Sequence, residues 1–234
     1  MGKATAEELL EIYRRLYAAY GPQHWWPASS PFEVVVGAIL TQSAAWVNVE
    51  KAIDNLRAAG ILSPEGLLKV RLDELARLVH PAGYYNAKAR KLKAFLEMLF
   101  DRHGGQLDDL FALPLPELRQ ELLATHGIGQ ETADSIVLYA AEKPSFVIDA
   151  YTRRVFSRLG LELARDSYAS WQAMFSEALP PDVRLFNEYH ALIDCHAKTV
   201  CRKVPLCAQC CLAETCQLAM GAPPLATHGS TSSP

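Results

Sequence analysis

The stretch His126-Gly127-Ile128-Gly129-Gln130-Glu131, followed by Val147-Ile148-Asp149-Ala150, decides the fold of this chain. Two glycines around one apolar residue predict a tight turn, and the apolar spacing on either side predicts a helix before it and a helix after it. The bare backbone N–H groups of Gly127, Ile128 and Gly129, at the start of a helix, can face an anion such as a phosphate. We therefore predict a helix, a hairpin and a second helix, with Asp149 as a candidate catalytic carboxylate.

Length and composition restrict the class of protein. The chain has 234 residues, half of them hydrophobic, and a formal net charge of -3. It can build one large core or two small ones. We expect a soluble cytosolic protein with no membrane partner, because no apolar run is long enough to span a bilayer and the first residues lack a signal-peptide pattern. The net charge argues against coating nucleic acid by bulk electrostatics, so any DNA site must be local.

Apolar residues recur at the helical period and alternating runs are scarce, which predicts an all-α protein. The Gly-, Pro-, Ser- and Thr-rich end, 221–234, is predicted to be disordered. The predicted helices are Ala6–Tyr20, Pro31–Leu40, Val47–Ala59, Pro64–Val70, Leu72–Val79, Asn86–Arg102, Pro116–Ala124, Gln130–Ala141, Ala150–Leu159, Tyr168–Ala178 and Asp182–Cys195.

Four cysteines, Cys201, Cys207, Cys210 and Cys216, have the spacing C-x5-C-x2-C-x5-C. In a cytosolic chain such clustering indicates an inorganic centre rather than disulfides. Zinc accepts four thiolates, but its structural sites usually present two paired C-x2-C knuckles, and here only one such pair exists. A [4Fe-4S] cluster is the favoured interpretation, with zinc and no metal as alternatives. Cys195 is predicted to be a core thiol rather than a ligand.

The hairpin and the region of Asp149 resemble the helix-hairpin-helix DNA glycosylases, the superfamily of endonuclease III. The resemblance implies that the hairpin holds the DNA backbone and that Asp149 assists cleavage of the bond between base and sugar. It also implies two domains, a six-helix barrel over 32–146 and a cluster domain made of 1–31 and 147–220. The implied partner is double-stranded DNA containing a damaged base, and we expect a monomer.

The cysteine segment resembles the cluster loop of endonuclease III, including the upstream His196. A proline commonly follows the third ligand there, and Cys211 stands at that position here. The resemblance therefore implies a cluster held by Cys201, Cys207 and Cys216, with Cys210 or Cys211 as the remaining ligand.

Glu131 is the informative departure from the family pattern. Bifunctional members carry a lysine at this position, and its amine attacks the sugar to form a Schiff base. A carboxylate cannot form an imine, so we predict base removal that leaves an abasic site. Alternatively, Glu131 only favours the positive N-terminus of its helix. Both interpretations remove the lyase activity.

Trp25, Trp26 and Trp46 lie near the start of the predicted barrel, where core packing is one explanation. Their arrangement also resembles the 3-methyladenine DNA glycosylases of this superfamily, in which such aromatics stack on the extruded base. An N-alkylated purine is cationic, and an aromatic slot attracts it through cation–π interaction. Gln42 matches the family residue that fills the gap in the duplex. Tyr84 matches the wedge on the opposite strand, or is a half-buried loop tyrosine.

Three functions follow from these patterns. The first is a monofunctional glycosylase for alkylated purines. The second is a related glycosylase for another damaged, mismatched or deaminated base. The third is a non-catalytic iron-sulfur module that binds DNA or senses redox state, which Asp149 and the tryptophans disfavour because binding needs neither.

Overall fold

The structure is a computed structural model that describes residues 4–161 and 163–221. Every regular element in this part of the chain is helical, which confirms the all-α prediction. Apart from Gly221, the end predicted to be disordered lies outside the described residues. The helices are α1 (Ala6–Tyr20), α2 (Pro31–Leu40), α3 (Trp46–Ala58), α4 (Pro64–Lys69), α5 (Leu72–Leu78), α6 (Tyr85–His103), α7 (Leu107–Ala112), α8 (Leu115–Ala124), α9 (Gln130–Ser135), α10 (Ala150–Leu159), α11 (Tyr168–Ala178), α12 (Val183–Thr199) and α13 (Gln217–Gly221).

The predicted helices from α1 to α6, and α8, agree with the structure within one residue at each end. The short helices α7 and α13 were not predicted; α4 is as short as α7, but its start is marked by Ser63 and Pro64, whereas α7 has no side-chain N-cap. Helix α12 continues past the predicted end at Cys195 to Thr199. His196 and Lys198 lie in its last turn, where positive charge favours the negative end of the helix dipole.

The helix predicted over Gln130–Ala141 has two parts. After α9, residues Ile136–Ala140 form a π-helical segment, and the N–H of Ala141 donates to the carbonyl of Ile136 at 3.0 Å. Such wide turns are rare and occur often at functional sites.

Helix α2 is the centre of a first group of packed helices. Its N-cap Ser30 accepts a hydrogen bond from the N–H of Glu33 at 3.2 Å, and Pro31 follows at the first helical position. Residues 32–40 are all buried, because α2 packs against α3, α6, α9 and the π segment. Helix α6 in turn packs against α4, α5 and α7.

A second group combines the two ends of the described chain. Helix α1 packs along α12, where the Tyr189 hydroxyl donates to the carbonyl of Leu9 at 2.7 Å. Helix α10 packs against α12 and α13. The rings of Phe146 and Phe175 stack at 4.0 Å in the core of this group.

Asp134 on α9 joins the two groups. Its fully buried carboxylate accepts hydrogen bonds from Arg119 at 2.8 and 3.0 Å, from Ser145 Oγ at 2.6 Å and from the Tyr168 hydroxyl at 2.7 Å. The Tyr168 oxygen also accepts from the N–H of Ile148 at 3.3 Å. A buried carboxylate with this many donors is well satisfied, so it fixes the segment that leads to Asp149.

The helices thus pack as two groups, as the predicted two-domain fold requires, while the bounds 32–146, 1–31 and 147–220 stay predictions. Within the described residues, no helix combines the length and the apolar character needed to cross a bilayer.

Candidate active site

A cavity of about 800 Å³ lies where the two groups of helices meet. Several residues proposed from the sequence line it together, although they are far apart along the chain. These are Trp25, Trp26, Gln42, Trp46, Glu131 and Asp149.

The three tryptophans form one wall of the cavity. Their ring centroids lie 4.9 Å apart for Trp25 and Trp26, 5.0 Å for Trp25 and Trp46, and 5.2 Å for Trp26 and Trp46. None of the three is fully buried, and Trp26 fits closely over Gly37, where an added Cβ would lie 3.0 Å from the indole ring. The rings therefore pack against one another and also present an aromatic surface to the cavity.

Asp149 stands at the start of α10 and lines the same cavity. Its Oδ1 accepts a hydrogen bond from the N–H of Thr152 at 2.7 Å, so Asp149 is the N-cap of the helix. The side chain is 17% exposed and its other oxygen, Oδ2, lies 3.9 Å from Nε2 of His190. One carboxylate oxygen therefore holds the helix, and the other remains available to the cavity.

Glu131, in the first turn of α9, lines the same cavity, although the residue as a whole is exposed. Desolvation of its carboxylate by the surrounding atoms, and then repulsion from Asp149, raise the pKa of Glu131 to about 7, while Arg153 opposes the change. Close to neutral pH, Glu131 is therefore present in both its neutral and its anionic form.

His190 and Tyr139 are site residues that the sequence reasoning missed. His190 on α12 lines the cavity, and its Nδ1 lies 2.6 Å from the hydroxyl of Tyr139 on the π segment. Burial raises the pKa of Tyr139 well above its ordinary value, so the hydroxyl keeps its proton. No local motif marks either residue, because they meet only in the folded chain.

Asp194, Cys195 and Lys198 of α12 also line the cavity. The ammonium of Lys198 forms an ion pair with Asp194 at 2.6 Å. Cys195, predicted to be a core thiol, is half-buried at the cavity wall.

The hairpin borders the cavity through Gln42. The Gln42 amide donates to the carbonyl of Gly127 at 3.1 Å and to Thr132 Oγ1 at 2.9 Å, and its oxygen accepts from Lys91 Nζ. Gln42 is thus held against the hairpin. To fill a gap in a duplex, its side chain would have to break these hydrogen bonds and form new ones with DNA.

Within the hairpin, the three predicted DNA-binding residues differ. Gly127 has φ of 82°, a conformation that favours glycine, and Lys91 packs against it. Ile128 is buried and its N–H donates to Thr125 at 3.2 Å, so it supports the turn. Gly129 has an ordinary φ of -90° with open space around its Cα, which leaves the helix start accessible.

Tyr84 lies outside the cavity lining. It is 76% exposed, has φ of 45° and immediately precedes α6. Lys91, which contacts Gln42, lies on α6, about 10 Å along the helix axis from Tyr84. Tyr84 is therefore an exposed loop aromatic, not the half-buried tyrosine that was the alternative.

The four predicted cysteine ligands lie on the segment between α12 and α13. Cys201 Sγ lies 3.3 Å from Nη1 of Arg158, and Cys216 Sγ lies 3.2 Å from the carbonyl of Arg158. Cys210 Sγ accepts from the N–H of Leu212 at 3.4 Å and lies 3.7 Å from Nε2 of the buried His196. Between residues 4 and 221, leaving aside residue 162, no three His, Cys, Asp or Glu side chains converge closely enough to hold one metal ion.

The chain is similar in sequence to known repair proteins. The MJ1434 protein of Methanocaldococcus jannaschii, whose designation as a DNA repair glycosylase is provisional, is 45% identical over 217 residues, which cover 90% of this chain and 96% of that protein. Endonuclease III of Thermotoga maritima is 26% identical over 88% of this chain and 91% of its own length.

Solved structures agree with these similarities. The H. pylori 3-methyladenine DNA glycosylase MagIII, bound to 1,N6-ethenoadenine, has a TM-score of 0.73 and 26% identity, covering 83% of this chain and 98% of that one. A trapped endonuclease III–DNA covalent intermediate has a TM-score of 0.79 over 93% of this chain and 98% of that one, and at 22% identity it supports the fold alone.

The model of the HhH-GPD superfamily of base excision DNA repair proteins matches residues 36–181, which is more than half of the chain. This match includes the hairpin, the π segment and Asp149. The chain therefore belongs to the HhH-GPD superfamily of base excision repair DNA glycosylases.

Proposed function

We propose that the chain is a monofunctional DNA glycosylase that hydrolyses the N-glycosidic bond of a flipped, alkylated purine of the 3-methyladenine type and leaves an abasic site. The observation that carries this proposal is the single cavity lined by Trp25, Trp26, Trp46 and Asp149. An enzyme that acts on a base must take it out of the stack and into such a pocket.

The charge of the cavity favours a cationic base. Among the described residues of the lining, the carboxyl groups of Glu131, Asp149 and Asp194 outnumber the one ammonium, Lys198. The indole rings add cation–π attraction, worth about 0.5 to 2 kcal/mol. An N-alkylated purine is both cationic and a good leaving group, so binding and chemistry favour the same substrate.

Asp149 would act on the sugar. As the bond to the base breaks, positive charge develops at C1′ and the ring oxygen, and a fixed carboxylate stabilises that charge without reorganising. The hydrogen bond from Thr152 to Oδ1 holds the carboxylate in place and leaves Oδ2 free to act on the sugar.

The absence of a lyase step rests on Glu131, which has no amine to attack the sugar. Lys198 is the one described amine in the lining, and its ammonium is engaged by Asp194. Borohydride should therefore trap no covalent complex with abasic DNA. Strong trapping by the wild-type protein would refute the monofunctional proposal, and its loss in Lys198→Ala would identify the amine responsible.

A base-release assay tests the main proposal. Purified protein is incubated with duplexes that contain 3-methyladenine, 7-methylguanine, ethenoadenine, uracil or a mismatched thymine, and released bases are separated by chromatography. Asp149→Asn, prepared in parallel, reveals any contaminating glycosylase. We expect release of the cationic purines first, and preferential release of a neutral base would refute the substrate class.

A second candidate is a glycosylase for a neutral damaged or mismatched base. The pKa of Glu131, raised to about 7, supports it, because a neutral carboxyl group can donate a hydrogen bond to an uncharged base. The same lesion panel distinguishes the two substrates.

We also propose that Cys201, Cys207, Cys210 and Cys216 hold a [4Fe-4S] cluster. The donor chemistry fits, since the sulfurs of Cys201 and Cys210 meet N–H groups that would stabilise thiolates. The cluster would supply a structural crosslink, and this segment would then present the exposed Arg202 and Lys203 to DNA.

Double-stranded DNA with a damaged base is the proposed partner, with the hairpin at Gly127–Gly129 on the backbone, Tyr84 as the wedge and Gln42 at the gap. The exposure of Tyr84 and the accessible start of α9 support this arrangement. A monomer acting in the cytoplasm remains our expectation.

A further inference from the structure

His190 places a buried imidazole beside Asp149. The side chain is 13% exposed, and its Nε2 is fully buried without a hydrogen-bond partner among the described residues. The nearest carboxylate oxygen, Asp149 Oδ2, lies 3.9 Å away, which is too long for a direct hydrogen bond. A buried polar atom left unpaired is costly, so this gap between two polar groups needs an explanation.

The contact with Tyr139 determines which nitrogen of His190 carries the proton. The Tyr139 hydroxyl makes its one hydrogen bond in the described chain with Nδ1, at 2.6 Å. If Nδ1 were the donor, the hydroxyl hydrogen of Tyr139 would remain buried without an acceptor. Tyr139 therefore donates to Nδ1, and Nε2, whose nearest carboxylate oxygen is Asp149 Oδ2, carries the ring hydrogen.

An N–H donor and a carboxylate oxygen separated by 3.9 Å can be bridged by one water molecule. The water can accept from His190 Nε2 and donate to Asp149 Oδ2, with hydrogen bonds of ordinary length to both. Both residues also line the cavity that would receive the flipped nucleotide, so this water would face the sugar.

We propose that His190 and Asp149 together hold the attacking water, with Tyr139 as the positioning residue that fixes the tautomer of His190. The inference rests on the proposed glycosylase function. The bond between C1′ and N9 of the purine breaks, and its electron pair leaves with the base, so a cationic base departs neutral. The water oxygen bonds to C1′, and one water proton passes to Asp149 Oδ2.

The test uses the full-length protein and a duplex that contains the base released most rapidly in the lesion panel. Single-turnover release is compared for wild type, His190→Leu, His190→Gln and Tyr139→Phe. His103→Gln is the matched control, because His103 bonds to Glu121 outside the cavity lining. Thermal melting by circular dichroism establishes that each variant is folded.

We expect His190→Leu to lose about 100-fold in rate, the loss typical of a misplaced reactant. His190→Gln keeps an N–H donor near the position of Nε2 and should stay within about tenfold of wild type. Tyr139→Phe should give a smaller loss than His190→Leu. The imidazole of His190 is still present in this variant, but its tautomer is no longer fixed.

A second readout separates water positioning from a structural role. The reaction is repeated in aqueous methanol, and the ratio of abasic product to methyl glycoside is compared with that of acid depurination in the same solvent. The wild-type ratio should differ from the solution ratio, and the His190→Leu ratio should approach it. If His190→Leu fails to fold, Tyr139→Phe should shift the ratio while His190→Gln preserves it.

Three results would overturn the inference. One is a folded His190→Leu with unchanged rate and product ratio. Another is a lower rate with an unchanged ratio, which would place His190 against the base instead of the water. The third is an unchanged ratio in Tyr139→Phe together with an altered ratio in His190→Gln. Failure of the wild-type protein to release any base would defeat the proposed function itself, so the two failures are distinguishable.

Discussion

The two oxygens of Asp149 separate its structural role from its chemical role. Oδ1 caps α10 through Thr152 at 2.7 Å, whereas Oδ2 lies 3.9 Å from Nε2 of His190, another residue of the cavity lining. Asparagine is as good an N-cap as aspartate but carries no charge. Asp149→Asn should therefore keep the helix and lose the stabilisation of the sugar cation. Asp149→Ala should lose both.

The expected magnitudes differ for the two roles. Loss of one fixed electrostatic group at a transition state costs about 100- to 1000-fold in rate, so both variants should release base that much more slowly. Loss of the cap costs about 1 kcal/mol, which lowers the melting temperature of a chain of this size by about 2 to 4 °C. Only Asp149→Ala should show this decrease.

Single-turnover base release and thermal melting are measured on the same preparations, with DNA affinity as a control for binding. Release by Asp149→Asn within about tenfold of wild type would refute the electrostatic role. A melting temperature of Asp149→Asn as low as that of Asp149→Ala would refute the separation of the two oxygens.

Four further predictions concern other parts of the chain. The pKa of Glu131 is raised from 4.5 to about 7 in the folded state, so the part of the unfolding free energy that depends on Glu131 should fall as pH rises between these values. Urea titrations at several pH values should show a less negative change of unfolding free energy with pH in Glu131→Gln than in wild type, and an identical change in both proteins would contradict the assignment. Purified protein should contain about four irons per chain, and Cys207→Ser should lose them while Cys195→Ser keeps them; stoichiometric zinc without sulfide would exclude the cluster. Tyr84→Ala should slow release from duplex DNA but not from a single strand, because only the duplex needs its stacking restored; Tyr17→Ala, which alters another exposed tyrosine, serves as the control, and equal rates on the duplex would argue against a wedge. Asp134→Ala should destabilise the fold by about 3 to 5 kcal/mol in urea, since Arg119 loses its buried partner; a loss below about 1 kcal/mol would show that the network contributes little.

Sequence reasoning found the parts of the site that local patterns define. Glu131 belongs to the hairpin motif and Asp149 to a helix start, and the structure brings both to one cavity with the tryptophans. Their chemical roles stay predictions. His190 could not be found in this way, because its neighbours on α12 show only the spacing of a helix with one buried face. Its environment comes from Tyr139 and Asp149, on separate elements of the chain.

Gln42 illustrates a second limit. The family resemblance implies that Gln42 fills the gap in the duplex, yet its amide is held by Gly127 and Thr132. The polar groups that bond to a side chain can come from distant parts of the chain, so a local sequence pattern does not predict them. The predicted helix over Gln130–Ala141 is a similar case, since the spacing of apolar residues cannot distinguish one wide turn from a regular helix.

That wide turn limits how this part of the chain can change in length. Removing one residue from Ile136–Ala140 would let the backbone close into a regular α-helix, at little cost in hydrogen bonds. The wide turn holds one residue more than a regular helical turn, so side chains beyond it would keep their directions and only those within it would rotate. Tyr139 would turn away from His190 while the core could still close around the helix. A change of length here should therefore impair the contact between Tyr139 and His190, and so the reaction, more than it impairs folding.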